Sequence, residues 1–180
     1  MNLANCPNHF DPKKRECKVI IETPKGGRNK FRYEPDFEMF GLSGLLGEGL
    51  AFPFDFGFIP STRGADGDPL DVMVLLDAPA HVGCLLDVRL IGVIEAVQKE
   101  RGKQPVDNDR LLGVAVHSHS HENVGSIEEV NQSLLDQVEQ FFVAYNISKG
   151  RKFVVKGRHG PKRAVKLLQQ GIRVFHSQEK

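Results

Sequence analysis

The sequence predicts a mainly β, α+β fold in which a β-barrel is flanked by helices. Three observations carry this expectation. Short apolar, β-branched runs fill most of the chain, and two segments with helical periodicity fall in its last third. No alternation of strand and helix of the kind that builds parallel sheets lies between them.

The elements follow in order. "CKVIIE" (17–22) and "NKFRY" (29–33) are β-rich runs separated by the turn-type segment "TPKGGR". "VMVLL" (72–76), "VRLIGVI" (88–94), "LLGVAV" (111–116) and "KFVVKG" (152–157) are further strands. "KERGKQPVDND" (99–109) is polar, holds Gly and Pro, and is expected to be an exposed loop. A helix is expected from Ser126 to about Asn146, with Ser126 and Glu129 as a capping box. Its apolar positions Ile127, Val130, Leu134, Val138, Phe141 and Tyr145 step by three and four and should face the core. A second helix starts at Pro161, a favoured first-turn residue, and should bury Val165, Leu168, Ile172 and Phe175.

With 180 residues the chain is expected to form one domain, 1–180, burying roughly 70% of its unfolded surface. It is 40% apolar and 26% charged, ordinary for a globular protein, and has no apolar run long enough for a membrane helix. The start, "MNLANCPNHFDPKK", lacks a charged-then-apolar layout, and Cys6, Cys17 and Cys84 form no CxxC, so a reducing cytoplasm is expected. Cys17 and Cys84 should sit in or beside the core. Residues 149–178 carry nine Lys or Arg and no acid. Two readings of that segment stand: a basic face docked on the acidic body, or a site for an anionic ligand or nucleic acid.

The stretch that demands chemistry is "ADGDPLDVMVLLD" (65–77). Asp66, Asp68 and Asp71 crowd into six positions directly before an apolar strand. Repulsion and desolvation both oppose this unless a cation offsets them. Turn propensity explains one or two of these aspartates but not three. An EF-hand does not fit, because Leu70 and Gly67 stand at the wrong places. Oxygen donors without nearby Cys or His point to a hard cation, Mg²⁺ or Mn²⁺, of the kind that shares its coordination with a phosphorylated substrate.

Asp-Gly-Asp-Pro-Leu-Asp before an apolar strand resembles the signature of the first family of soluble inorganic pyrophosphatases. "FPFDFGFIPST" (52–62) is similar to that family's Tyr-Pro-x-Asn-Tyr-Gly-Tyr/Phe-Ile-Pro segment, and "VIIETPKGGRNKF" (19–31) to its strand–turn–strand with a Glu and a substrate Lys. "RLIGVIEAV", "NDRLLGVAV" and "QFFVAYNISKGRKFVVKG" resemble later segments in order, so the similarity spans roughly residues 17–176.

The resemblance implies a five-stranded OB-like barrel with helices outside it, and Mg²⁺-dependent hydrolysis of pyrophosphate or a related small phosphoanhydride by metal-activated water. It also implies a homo-oligomer. Carried over by position, Asp66, Asp68, Asp71 and Glu22 would serve the metal, with Asp68 also accepting the proton of the attacking water. Lys30, Tyr145 and Arg110 would contact phosphate, Arg110 standing where the family has Lys.

Several positions depart from the family pattern. A phosphate-binding Arg of the family is Gly44 here, and the Lys after the helix Tyr is Asn146. The acidic pair aligns with Lys99-Glu100, and a metal-ligand Asp with Asn108, Asp107 and Asp109 being the alternatives for that position given the longer loop. Phe52 and Phe56 replace tyrosines, Asp55 replaces an Asn, and Phe31-Arg32 follow Lys30 in place of a Glu. Arg32 and Arg63 are unmatched by the family, and one of them is expected to supply the cationic charge that Gly44 lacks. These departures leave two rivals open, a relative acting on another phosphoanhydride and a non-catalytic metal–phosphate binder.

Two features point elsewhere. His117, His119 and His121 in "HSHSHE" would share one face of an extended chain, but the stretch follows a strand end where a polar loop is expected. The segment 149–166 is basic, yet surface aromatics for base stacking are scarce and Trp is absent, so nucleic acid is not the expected partner.

Overall fold

The computed structural model describes residues 2–178. Its elements are β1 (Glu16–Thr23), β2 (Asn29–Glu34), β3 (Met39–Leu45), β4 (Asp55–Ile59), β5 (Leu70–Leu75), β6 (Leu85–Glu100), β7 (Val106–Asp107), β8 (Arg110–Ala115), α1 (Gln132–Ser148), β9 (Arg151–His159) and α2 (Pro161–Gln178). Five strands close into a ring in the order β1–β4–β5–β8–β6, with β6 returning to pair with β1. All ring pairs are antiparallel except β5–β8. This is the helix-flanked barrel that the sequence predicts.

The long strand β6 makes the closure. Its first residues, Leu85 to Arg89, pair with β1, and its far half, Val93 to Glu100, runs on to pair with β9. The hairpin β2–β3 stands apart as a two-stranded sheet.

Period-two alternation explains why "VMVLL" has no polar face. Met73 and Leu75 point into the core shared with α1, together with Leu112 and Val114 of β8. Val72 and Val74 point the other way, with Leu111 and Ala115, into the core shared with α2. Both faces are buried, so both must be apolar. The first core is rich in aromatic rings, among them Phe52, Phe56, Phe141, Phe142 and Phe153.

The first helix differs from the sequence reading. Ile127–Glu129 is an isolated 3₁₀ turn, and α1 begins only at Gln132 with Asn131 as N-cap, its side chain accepting from Leu134 N–H. Ser126 makes no capping bond; Glu129 instead accepts from Gly125 N–H at 2.6 Å. An Asn five residues later is an equally good cap, and it wins. The buried positions of α1 are Leu135, Val138, Phe141, Phe142 and Asn146, with Leu134 and Tyr145 only partly covered. The second helix starts at Pro161 as expected but buries Ala164, Leu168, Gly171 and Phe175. Gly171 is required by contact: a Cβ there would lie 2.7 Å from Leu70 Cδ1 and 3.3 Å from the Arg63 carbonyl. The sequence reading gives no strand at β3 or β4, and the end of β6 and all of β7 take up part of the expected 99–109 loop.

Cys17 is buried, Cys6 and Cys84 are partly covered, and all three are free. No helix among the described residues is long and apolar enough to cross a membrane.

Candidate active site

The aspartate turn joins β4 to β5 and is built as a rigid loop. Thr62 Oγ1 donates to the Ile59 carbonyl at 2.6 Å and accepts from Leu70 N–H at 2.9 Å, closing its base. Gly64 N–H donates to the Asp68 carbonyl at 2.8 Å, and Asp66 Oδ1 accepts from Asp68 N–H at 3.1 Å. Arg63 clamps it from two sides. Its guanidinium donates to the Gly67 carbonyl at 2.5 Å, and its backbone N–H donates to the Gly171 carbonyl of α2 at 3.1 Å.

This turn forms one wall of a cleft of about 490 Å³. All nine residues singled out from the sequence line it: Glu22, Lys30, Arg32, Arg63, Asp66, Asp68, Asp71, Arg110 and Tyr145. They come from β1, the β2–β3 hairpin, the turn, β5, β8 and α1. Glu22 lies at the back, 8% exposed, accepting from Tyr33 N–H at 2.8 Å. Burial pushes its carboxyl up to about 7, with the Asp71 charge adding to the effect. Asp66 is exposed as a residue, yet its carboxyl is enclosed enough that desolvation raises its pKa, and the Asp71 and Asp68 charges raise it further.

Facing these acids stand cations. Arg110 is 7% exposed, and its Nη1 lies 2.6 Å from Asp71 Oδ2. The same guanidinium donates to Asn108 Oδ1 and to the Asp109 carbonyl. Arg32 reaches across from the hairpin to Asp68 at 2.8 Å. Lys30 Nζ sits 5.3 Å from the Tyr145 ring centre and 5.9 Å from that of Phe56. Arg151 also lines the cleft. Sequence reasoning missed it, because nothing set it apart within the basic run 149–166.

Among the described residues no three of Asp, Glu, His and Cys stand close enough to close on one ion as the side chains lie. The reason is visible: Asp71 is held by Arg110 and Asp68 by Arg32. The donor set still fits a hard divalent cation, since four carboxylates and no nitrogen or sulfur donor line the wall.

The departing positions divide. Asn108 lines the cleft, tied to Gln98 Oε1 at 2.9 Å. Asp109 turns away to accept from Ala96 N–H at 3.0 Å, and with Asp107 it lines a smaller cavity of about 210 Å³ behind the aspartate turn. Asn146 spends its amide on the Phe142 carbonyl at 2.8 Å. Asp55 is buried and ties two loops together, accepting from Lys25 N–H at 2.7 Å and Ala80 N–H at 3.1 Å. Phe56 floors the site beneath Lys30 and Arg110. Lys99 and Glu100 pair with β9 outside the cleft. His117, His119 and His121 do not gather on one face: the chain turns there, and Asp77 accepts from Ser118 Oγ, His119 N–H and Ser120 N–H.

The family model for inorganic pyrophosphatase matches residues 19–176. The chain belongs to the inorganic pyrophosphatase family. It is 30% identical to the inorganic pyrophosphatase of a Nostoc species over 97% of its own length and 99% of that protein's. To the Synechocystis enzyme of the same name it is 35% identical, over 83% of this chain and 85% of the relative. The crystal structure of the Thermus thermophilus inorganic pyrophosphatase superposes with a TM-score of 0.89 at 28% identity, covering 98% of this chain and 99% of that one. Membership of the pyrophosphatase family carries with it a divalent metal cofactor.

Proposed function

We propose that this chain hydrolyses inorganic pyrophosphate to two phosphates with Mg²⁺ as cofactor. The observation that carries the reading is the cleft itself, where four carboxylates on one side face Lys30, Arg110 and Tyr145 on the other. Asp66, Asp71 and Glu22 would hold Mg²⁺, and Asp68 would touch it as well. Bound there, the ion supplies positive charge to phosphate oxygens and acidifies water.

The protein's own groups do the rest. The Asp68 carboxylate takes the proton of the attacking water, whose oxygen forms the new bond to phosphorus as the bridging P–O bond breaks. Lys30 Nζ and the Tyr145 hydroxyl orient the phosphate. Arg110 offsets the Asp71 charge, so that an anion can approach an otherwise acidic wall. Arg32, exposed and paired with Asp68 at 2.8 Å, moves from that carboxylate to a phosphate oxygen when substrate enters.

A homo-oligomer in the cytoplasm belongs to the same reading. It is supported by exposed Phe37, Met39, Leu42 and Leu45 on the hairpin and by three unpaired thiols. Within the basic segment, Arg158 reaches Asp136 and Glu139, and Arg163 reaches Glu95, which favours docking on acidic neighbours over nucleic-acid binding.

The test is phosphate release by the purified chain from pyrophosphate and from a panel of nucleoside triphosphates, with Mg²⁺ supplied or chelated. Mg²⁺-dependent release from pyrophosphate is expected. Release only from nucleotides would move the substrate, and none from any would make the chain a binder.

A further inference from the structure

We propose that Lys149 is a substrate-binding residue of this cleft, its ammonium filling the place beside Lys30 that Gly44 leaves open. The inference rests on the reading above, that a phosphoanhydride enters between the two walls.

Gly44 and Lys30 are direct partners across the β2–β3 hairpin. A side chain starting from Gly44 would put its Cβ 3.0 Å from Lys149 Nζ and 4.0 Å from Lys149 Cε, and no other atom lies within 4 Å. The space over the glycine is thus taken by the end of one lysine, delivered from a different element. That element is well placed. Lys149 caps the C-terminus of α1, its backbone N–H donating to the Asn146 and Ile147 carbonyls. It follows Tyr145 by four residues and precedes Arg151 by two, and both of those line the cleft.

The charge has no other employment. Among the described residues neither Lys149 nor Lys30 lies within ion-pair distance of a carboxylate, whereas Arg32, Arg110, Arg151, Arg158 and Arg163 all do. A helix C-terminus favours a cation, which explains a lysine at 149 but not its aim at the hairpin. Two unpaired ammonium groups from facing elements repel each other until an anion comes between them. A phosphate group meets that need with several acceptor oxygens, and Lys answers as a point charge that needs no fixed fork.

The experiment is calorimetric binding of imidodiphosphate, with Mg²⁺ present, to the intact protein and to K149M, K149R, K152M and G44R/K149M. Lys152 is a neighbouring exposed lysine and controls for bulk charge. K149M should bind about tenfold more weakly with an unchanged melting temperature. K149R and K152M should bind like the parent, and G44R/K149M should regain most of the loss, because an arginine from position 44 enters the vacated space. Parent-like binding by K149M, or an equal loss in K152M, overturns the proposal while leaving the pyrophosphatase reading intact. No binding by the parent overturns both.

Discussion

Arg110 and Asp71 form an ion pair of 2.6 Å at the inner end of the cleft, with the guanidinium enclosed by three aromatic rings. Its carbon lies 5.7 Å from the centre of Phe56, 5.3 Å from Phe142 and 5.9 Å from Phe153. The side chain is 8% exposed, and its Nε has no partner in the described structure. The arginine is therefore a cation the fold has already desolvated, aimed at a carboxylate that also faces the substrate space. Removing one member of such a pair leaves the other charge inadequately compensated. R110A should lose about 3 kcal/mol of stability in urea unfolding, and R110K should lose less, keeping the charge but not the planar stacking. Equal stability of R110A and the parent would contradict this picture of Asp71.

Gly171 couples the second helix to the aspartate turn. Any side chain there meets Leu70, which directly precedes Asp71. G171A should cost about 1–3 kcal/mol by overpacking, because the Leu70 side chain and the Arg63 carbonyl of the aspartate turn must give way, and the displaced turn should bind metal more weakly. Thermal unfolding and Mg²⁺ titration of the variant check both parts.

Arg32 and Asp68 meet at 2.8 Å, yet both side chains are more than half exposed. Water screens the pair, so R32A should change stability by under about 1 kcal/mol. Its effect should fall on substrate instead, raising KM for pyrophosphate severalfold with kcat little changed. An unaltered KM would remove Arg32 from the substrate's contacts.

Burial, with a smaller push from the Asp87 carboxylate, drives the Cys17 thiol from 9.0 to about 12. The folded chain keeps this proton where the unfolded chain releases it, so stability is full below pH 9 and falls as pH rises towards 12. The slope from this one group is about 1.4 kcal/mol per pH unit. C17A should flatten that part of the alkaline unfolding curve, and Cys17 should resist alkylation at pH 8 until the protein unfolds.

How much of this was legible in the sequence follows from the type of signal. The barrel strands with two buried faces announce themselves as unbroken apolar runs, and the aspartate turn announces itself by electrostatic improbability. Strand β3 escaped notice because Met39, Leu42 and Leu45 are exposed and its burial pattern gives no alternation to detect. The start of α1 was misplaced because Ser126 and Asn131 are both good caps, and only packing chooses between them. Seven of the nine cleft-lining residues named from the sequence were carried by motif order, and Arg32 and Arg63 by their charge beside the motifs. Arg151 could not be named, since only the turn of the chain after α1 brings it to the cleft. The replacements at Asp55 and Phe56 looked like losses and proved to be structural, one holding two loops and the other flooring the cations.

The central claim is that Asp68 receives the proton of a water attacking pyrophosphate in this cleft. The direct measurement is kcat for phosphate release from pyrophosphate at saturating Mg²⁺, parent against D68N. Asp68 is an exposed turn residue, so the variant should fold normally. Its kcat should fall by about 10²–10⁴. A D68N enzyme that turns over pyrophosphate at the parent rate would contradict the account.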